Sequence, residues 1–251
     1  MSLIVIYVLL FGAVIGSFLN VCISRIPKDR SIVLPASHCP NCGKHINFYD
    51  NIPIISFFLL NGRCRSCHQR ISWQYPTVEI LNVIGYELLF YYFGLGWTFF
   101  IYIILFSSLL VVTFIDLNHQ IVPDRITFPG MIFGIATAST VLSTGMWGSL
   151  SGIVVGGGIF YIIAVVSKGG MGGGDIKLIA MIGAFLGWRD VLLIIFLASL
   201  SGSLVGVILM VFKGKKRRDP IPFGPFLSLA TVIAFFVDNE ILQWYANLGV
   251  N

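Results

Sequence analysis

Residues 168–186 read Lys-Gly-Gly-Met-Gly-Gly-Gly-Asp-Ile-Lys-Leu-Ile-Ala-Met-Ile-Gly-Ala-Phe-Leu. A run of glycines delivers one carboxylate, Asp175, to the start of an apolar segment, Ile176 to Leu186, that is only 11 residues long. A helix needs about 20 residues to cross the hydrocarbon of a bilayer. This segment must therefore be buried, extended into its flanks or re-entrant. Whether it crosses decides the topology of everything that follows. Asp175 has two readings at this stage. Asp is a common helix N-cap, and an ionisable residue beside a membrane span is a functional candidate.

The surrounding composition makes the membrane reading necessary. The chain has 251 residues, 57% of them hydrophobic and 11% charged, where an ordinary globular domain carries about 25% charged residues. The apolar material recurs in many segments, which excludes a soluble domain with a single anchor. Runs bounded by Pro, Gly and charge predict spans at Leu3–Ile23, Pro76–Phe93, Trp97–Ile115, Ile126–Thr144, Trp147–Ser167, Ile176–Leu186, Val191–Phe212 and Pro222–Leu242. The first is too long for a signal-peptide core and lacks a basic leader and a cleavage site, so it is expected to be retained. The expected fold is an all-α polytopic membrane protein of about eight transmembrane helices, with a small zinc-ribbon-like cytoplasmic insert between the first two.

Charge then orients the spans. Placing the loop after the first span in the cytoplasm puts 15 of the 16 Lys and Arg residues on that side, and Arg189 alone outside. This is the asymmetry of the positive-inside rule. Both termini are then external. Without the short sixth span, the basic cluster from Lys213 to Arg218 would fall outside, so the charge pattern argues that the segment crosses. The net charge of +5 is explained by these membrane-facing loops. No aromatic-interleaved basic stretch of the kind that stacks single-stranded bases is present, and no nucleic-acid partner is expected. The lipid bilayer is the partner that the composition demands.

Three domains are expected: residues 1–23 as the first helix, 24–75 as the cytoplasmic insert and 76–251 as a helical bundle. The insert carries Cys39-Pro40-Asn41-Cys42 and Cys64-Arg65-Ser66-Cys67, two Cys-x-x-Cys knuckles 21 residues apart. That spacing is close to a four-cysteine zinc ribbon, and soft thiolates suit a tetrahedral Zn²⁺. Gly43 and Gly62 would allow the tight backbone of a knuckle. The competing reading is a redox role, for which one pair would suffice. Cys22 lies in the first span and reads as a small core residue. In that span Gly16 and Ser17 are small enough for close helix packing, and Asn20 can hydrogen-bond a neighbouring helix. Arg25 stands just outside it and is a candidate partner for Glu79. Glu87, deeper in the second span, needs a partner or a water-filled cavity.

The topology gathers the insert, Asp116 at the end of the third span and the glycine run before Asp175 at one face. Two carboxylates at one depth suggest an aspartyl dyad: like charges a few ångströms apart share a proton. One carboxylate activates water while the other, protonated, polarises the scissile carbonyl. Helix-end capping, or pairing with Arg125 and Lys177, is the alternative for Asp116 and Asp124. Asp124 follows Pro123 and reads more as a turn residue at the start of the fourth span. A helix beginning at Asp175 would favour its ionised form and leave the proton on Asp116.

Gly172-Gly173-Gly174-Asp175 matches the G-x-G-D motif of membrane aspartyl proteases. With Asp116 in a D-x-x-x-x-x-x-P-D string, both knuckles, the Gly16–Val21 string and Pro222-Phe223-Gly224-Pro225, the chain resembles the bacterial type IV prepilin peptidases over nearly its whole length. The resemblance implies cleavage of the basic leader of type IV prepilins or pseudopilins after a glycine, at the cytoplasmic face of the bacterial inner membrane. It also implies N-methylation of the new N-terminal residue, usually Phe, with S-adenosylmethionine as donor. Asp116 and Asp175 would be catalytic, with Gly172, Gly174 and Lys177 as motif support and Cys39, Cys42, Cys64 and Cys67 as zinc ligands. Both knuckles and Asn51-Ile52-Pro53 resemble the bifunctional members. A methyl-donor site would adjoin the insert, with Arg25 and Glu79 as its candidate residues, and residues 24–75 would belong to the methyltransferase region. An ion-coupled secondary transporter is the alternative, because several spans and intramembrane acids such as Glu87 also suit transport. Against it stand the lack of a clear internal repeat and the clustering of acids at one face.

Overall fold

The computed structural model describes residues 2–168, 170–213 and 221–248. Long apolar runs in a membrane satisfy their backbone groups internally only as helices, and the chain is built accordingly. Eight long helices stand where the eight apolar segments lie: α1 (Ser2–Arg25), α3 (Gln74–Phe93), α4 (Trp97–His119), α5 (Asp124–Ala138), α6 (Gly145–Val166), α7 (Gly173–Leu186), α8 (Trp188–Lys213) and α9 (Gly224–Leu248). A short α2 (Ile55–Leu59) and two 3-10 turns, Ile26–Lys28 and Phe48–Asn51, lie in the insert. Among the described residues there is no strand, and only His38–His45 and Arg63–Arg70 form isolated bridges. Four helices, α1, α4, α6 and α8, are long and apolar enough to cross a membrane.

Several boundaries depart from the expected spans, and two of them have a clear local cause. The fourth helix ends at Ala138, short of Thr144. There the N–H groups of Thr140, Val141 and Leu142 all turn back to the Thr137 carbonyl at 3.3, 2.9 and 3.0 Å. The Ser139 and Thr140 hydroxyls take the Ala136 carbonyl as well, a local competition that unwinds a helix end. The seventh begins at Trp188, because Gly187 at φ 86° closes α7 and lets α8 start at once. The basic cluster lies outside the described residues from position 214 onward.

The chain divides into two compact units, residues 1–111 and 112–251. In the first, α1 packs on α3 through glycine: a Cβ on Gly16 would stand 2.8 Å from Glu79 Cα, and one on Gly12 3.1 Å from Val83 Cα. Side-chain amides lock the pair, since Asn20 donates to the Tyr75 carbonyl at 3.0 Å and Asn82 to the Gly12 carbonyl at 2.8 Å. The Tyr86 and Ser107 hydroxyls, 2.9 Å apart, tie in the first part of α4. Small residues and interhelical hydrogen bonds hold membrane helices together, where lipid removes the usual hydrophobic drive.

In the second unit α7 is the central element. Its 14 residues rise only about 21 Å, less than the roughly 30 Å hydrocarbon core. Leu178 through Phe185 are all buried, so protein rather than lipid surrounds it. The backbones of α6 and α7 touch at Gly152 and Gly183, each of which has the other's carbonyl where a Cβ would go. Ser149 and Thr144 then donate to the Ala184 and Phe185 carbonyls at 2.7 and 2.9 Å, satisfying the C-terminal end of α7. On the α5 side, a Cβ on Gly134 would meet Ala184 Cβ at 2.8 Å.

This crossing makes a prediction. Gly152→Val should lower the thermal stability of the protein in detergent by an amount near the ~1–3 kcal/mol of an overpacked core. Gly158→Val, on the same helix where a Cβ would meet nothing within 4 Å, should leave the melting temperature unchanged.

Candidate active site and metal centre

The buried α4 helix carries Asp116 into its last turn, where the carboxylate is only 5% exposed. It is not left without a donor. Oδ2 accepts the backbone N–H of Gly224 at 2.9 Å, at the first residue of α9. A Cβ on Gly224 would stand 2.8 Å from that oxygen, so a larger residue could not donate from the same place. Asp175 is the third residue of α7, half-buried, behind an N-cap at Gly172. Asp175 Oδ2 lies beside Gly172, and Asp175 and Asp116 are close enough for their charges to interact. The structure thus brings the two acids together. Asp116 also faces a helix start, accepting the N–H of the first residue of α9, while Asp175 lies in the first turn of α7. The helix-start argument applies to both.

The three glycines before Asp175 have different surroundings. A Cβ on Gly172 would lie 3.3 Å from Asp175 Oδ2, and one on Gly174 would press 2.8 Å from Val122 Cβ. One on Gly173 would meet nothing within 4 Å. The first and third positions of G-x-G-D are constrained and the middle one is open. Val122 belongs to the loop that follows Asp116, so its contact with Gly174 docks the end of α4 on the first turn of α7. A second clasp sits beside it: Lys177 Nζ holds both oxygens of Asp124 at 2.7 and 2.9 Å and lies over the Phe128 ring. Asp124, the rival to Asp116, is therefore committed to a surface ion pair.

Gly224 is the site residue that the sequence did not assign. Pro222-Phe223-Gly224-Pro225 stood out as a motif, but a backbone donor leaves no side-chain signature. The available signal was a glycine between prolines at a helix start.

The insert forms the second centre, in the first unit. The Sγ atoms of Cys39, Cys42, Cys64 and Cys67 all lie within 4.8 Å of one another, with Cys39 and Cys67 3.9 Å apart. A tetrahedral thiolate site with bonds of about 2.3 Å has sulfur–sulfur edges of roughly 3.8 Å, so these residues could hold a metal ion. Each knuckle closes the same way. Cys39 N–H donates to Lys44 and Gly43 N–H to Cys39, and Cys64 N–H to Gln69 and His68 N–H to Cys64, all at 2.9 Å. Gly43 takes the positive φ of the first knuckle, at 67°. In the second, His68 takes it at 55°, whereas Gly62 sits earlier, at the end of α2. The N–H groups of Cys67 and Ser66 hold the Cys64 thiol down at about 7, ready to ligate as thiolate.

Arg25 and Glu79 do not pair. Arg25 donates to the Ser31 and Pro35 carbonyls at 3.0 and 2.7 Å, and Glu79 Oε2 accepts the Ile54 N–H at 2.7 Å. Glu87 Oε1 is buried without a hydrogen-bond partner.

Comparison with known proteins gives two family matches. Residues 10–93 match the Bacterial Peptidase A24 N-terminal domain and residues 103–207 the Type IV leader peptidase family. The chain is 33% identical to the prepilin leader peptidase/N-methyltransferase of Aeromonas hydrophila over 95% of its own length and 92% of that protein. The chain belongs to the type IV leader peptidase family. The peptidase is also similar to the proteins of the same name from Pseudomonas aeruginosa, 34% identical over 94% and 91% of the two chains, and Bacillus subtilis, 31% identical over 96% and 97%. No solved structure matches it. Membership in a peptidase family removes the transporter alternative, and the protein is a multi-pass membrane enzyme.

Metal analysis of the purified peptidase should find one ion per chain. Replacing Cys39 and Cys64 together by Ser should release it and make the insert sensitive to protease, because a structural metal site carries much of the folding energy of a small domain.

Proposed function

We propose that this peptidase removes the basic leader of type IV prepilins or pseudopilins at the cytoplasmic face of the bacterial inner membrane, with Asp116 and Asp175 as a proton-sharing pair. The observation that supports this reading is that two membrane-edge carboxylates lie within electrostatic reach of each other, with Asp116 held by a backbone N–H and neither acid in a salt bridge among the described residues. In the reaction one ionised carboxylate takes a proton from water, whose oxygen adds to the scissile carbonyl carbon. The other, protonated, donates to the carbonyl oxygen. Collapse of the tetrahedral adduct breaks the C–N bond as one of its hydroxyls returns a proton to the pair and the leaving amine takes one up, so the dyad ends with its single shared proton. The open side of Gly173 supports an extended substrate backbone next to Asp175. Gly172, Gly174 and Lys177 shape this edge without touching the chemistry. A substrate of basic leader and apolar helix would keep its helix in the bilayer, and the bias of 15 of 16 basic residues supports the cytoplasmic face and external termini.

The same protein methylates the α-amine that cleavage exposes, with S-adenosylmethionine as the donor. The two-part name of the relatives supports this second activity, and residues 24–75 are its proposed region. Bound there, the donor supplies a methyl group on a sulfonium, which leaves with only a neutral thioether behind. Arg25 and Glu79 remain its candidate residues. The four thiolates suit Zn²⁺, and a closed four-sulfur shell leaves no position for substrate, so the ion would shape the insert and take no part in either reaction.

Asp116→Asn and Asp175→Asn should each reduce leader cleavage by at least about 100-fold, the lower range for loss of a general acid or base, while the protein remains folded in membranes. Gly224→Ala should also slow cleavage sharply by pushing on Asp116. The assay is the product mass of a prepilin-like substrate incubated with purified peptidase, with and without S-adenosylmethionine. Normal cleavage by either Asn variant would refute the dyad. A methyl increment that appears only with the donor reports the transferase.

A further inference from the structure

The second half of α1 sets Val14, Phe18, Val21 and Arg25 along one face, spaced three and four residues apart, with Ser17 next to Phe18. Opposite them, residues 32–37 and the turn around Pro53 close a cavity of about 300 Å³, at the lower end of the range for small-molecule sites. The whole cavity lies in the first compact unit. Its charged wall residue is Arg25, half-buried. The guanidinium donates to two carbonyls, of Ser31 and Pro35, and so spends two of its five N–H groups on neutral partners. Its positive charge is not cancelled by a carboxylate among the described residues. A preformed, half-desolvated guanidinium beside a cavity selects an anionic group, and its planar fork suits a carboxylate.

The other wall is held in an unusual conformation. Ile54 has φ 64° and ψ −55°, and Ile55 N–H closes a three-residue turn on the Pro53 carbonyl at 2.6 Å. A β-branched residue rarely adopts a positive φ, and such conformations persist only where the surroundings impose them. Here Glu79 imposes it: the carboxylate, 6% exposed, accepts the Ile54 N–H from α3. Ser17, which lines the cavity, lies beside Glu79.

We infer that this cavity is the methyl-donor site, with Arg25 receiving the carboxylate at the donor's amino-acid end and the apolar wall of Phe18, Val21 and Val33 covering its less polar part. Glu79 is a positioning residue that fixes the Asn51–Ile54 wall from behind and does not touch the donor. The inference rests on the methyl-transfer reading and divides the two candidate residues between different roles.

Equilibrium dialysis of the full-length peptidase in nanodiscs of zwitterionic lipid, with labelled S-adenosylmethionine, tests it. Wild type should bind one donor per chain. Arg25→Gln should weaken binding by at least about tenfold, as expected for loss of a charge-assisted hydrogen bond, with metal content unchanged as the control for folding. Glu79→Gln keeps an oxygen that can accept the Ile54 N–H and should bind within about threefold of wild type, whereas Glu79→Leu should lose binding. Equal affinity in wild type and Arg25→Gln would overturn the assignment, and so would an Arg25-dependent site that anionic phosphatidylglycerol fills and the donor does not. No donor binding by the wild-type peptidase would instead overturn methyl transfer itself.

Discussion

Backbone-to-backbone approach at glycine is the constraint on which both halves of this protein depend. Lipid tails are as apolar as the side chains that face them, so helices gain little by leaving lipid for each other. What remains is dispersion at short range and hydrogen bonding, and both need close axes. Gly16 gives α1 that approach to α3, and Gly152 with Gly183 gives it to α6 and α7. Once the axes are close, short polar side chains reach across to carbonyls, as Asn82 does to Gly12 and Ser149 to Ala184. The short α7 is possible only on these terms. It spans too little height to face lipid alone, and its burial lets it carry a carboxylate on its first turn.

Two buried acids are met in one manner: Asp116 takes the N–H of Gly224 and Glu79 that of Ile54. Among the described residues neither is fixed by a cation. A lysine or arginine partner would hold a carboxylate ionised through the whole reaction, whereas a backbone dipole stabilises it and still permits proton exchange. Asp124 shows the contrast. It is paired with Lys177 at the surface, where the pair fastens a loop and adds little energy of its own. The chain thus spends its cations on geometry and keeps them from the acids placed at the candidate site.

Much of this was legible in the sequence, for definable reasons. Apolar runs locate helices because lipid leaves the backbone no other choice, and Cys-x-x-Cys pairs locate a cysteine cluster because covalent spacing fixes where sulfurs can go. Asp116 and Asp175 stood out because charge at a span's edge is costly. Other features depend on tertiary contact and leave little trace in one dimension. The early end of α5 follows from hydroxyls competing for carbonyls near Thr137. The positive φ at Ile54 is imposed by Glu79, 25 residues away, and Ile would never suggest it. Gly224 acts through its N–H, which every residue except proline possesses. Only its missing Cβ, tight against Asp116, marks it, and that requires the fold.

The division into two units suits the two reactions proposed for the peptidase. The family matches fall at residues 10–93 and 103–207, and the compact units part within α4, between Val111 and Val112. Peptide hydrolysis by paired carboxylates needs a proton shared between them, which a neighbouring guanidinium would disturb by holding both ionised. Binding an anionic donor tail needs such a guanidinium. Arg25 belongs to one unit and the aspartates to the other, so in the proposed scheme each demand falls to a different unit. The order of events is fixed by the substrate, since the amine to be methylated does not exist until the peptide bond is cut. A methyl-donor site formed from α1 and the insert can therefore stand ready without interfering with cleavage, provided that its own acid, Glu79, is occupied in holding its wall.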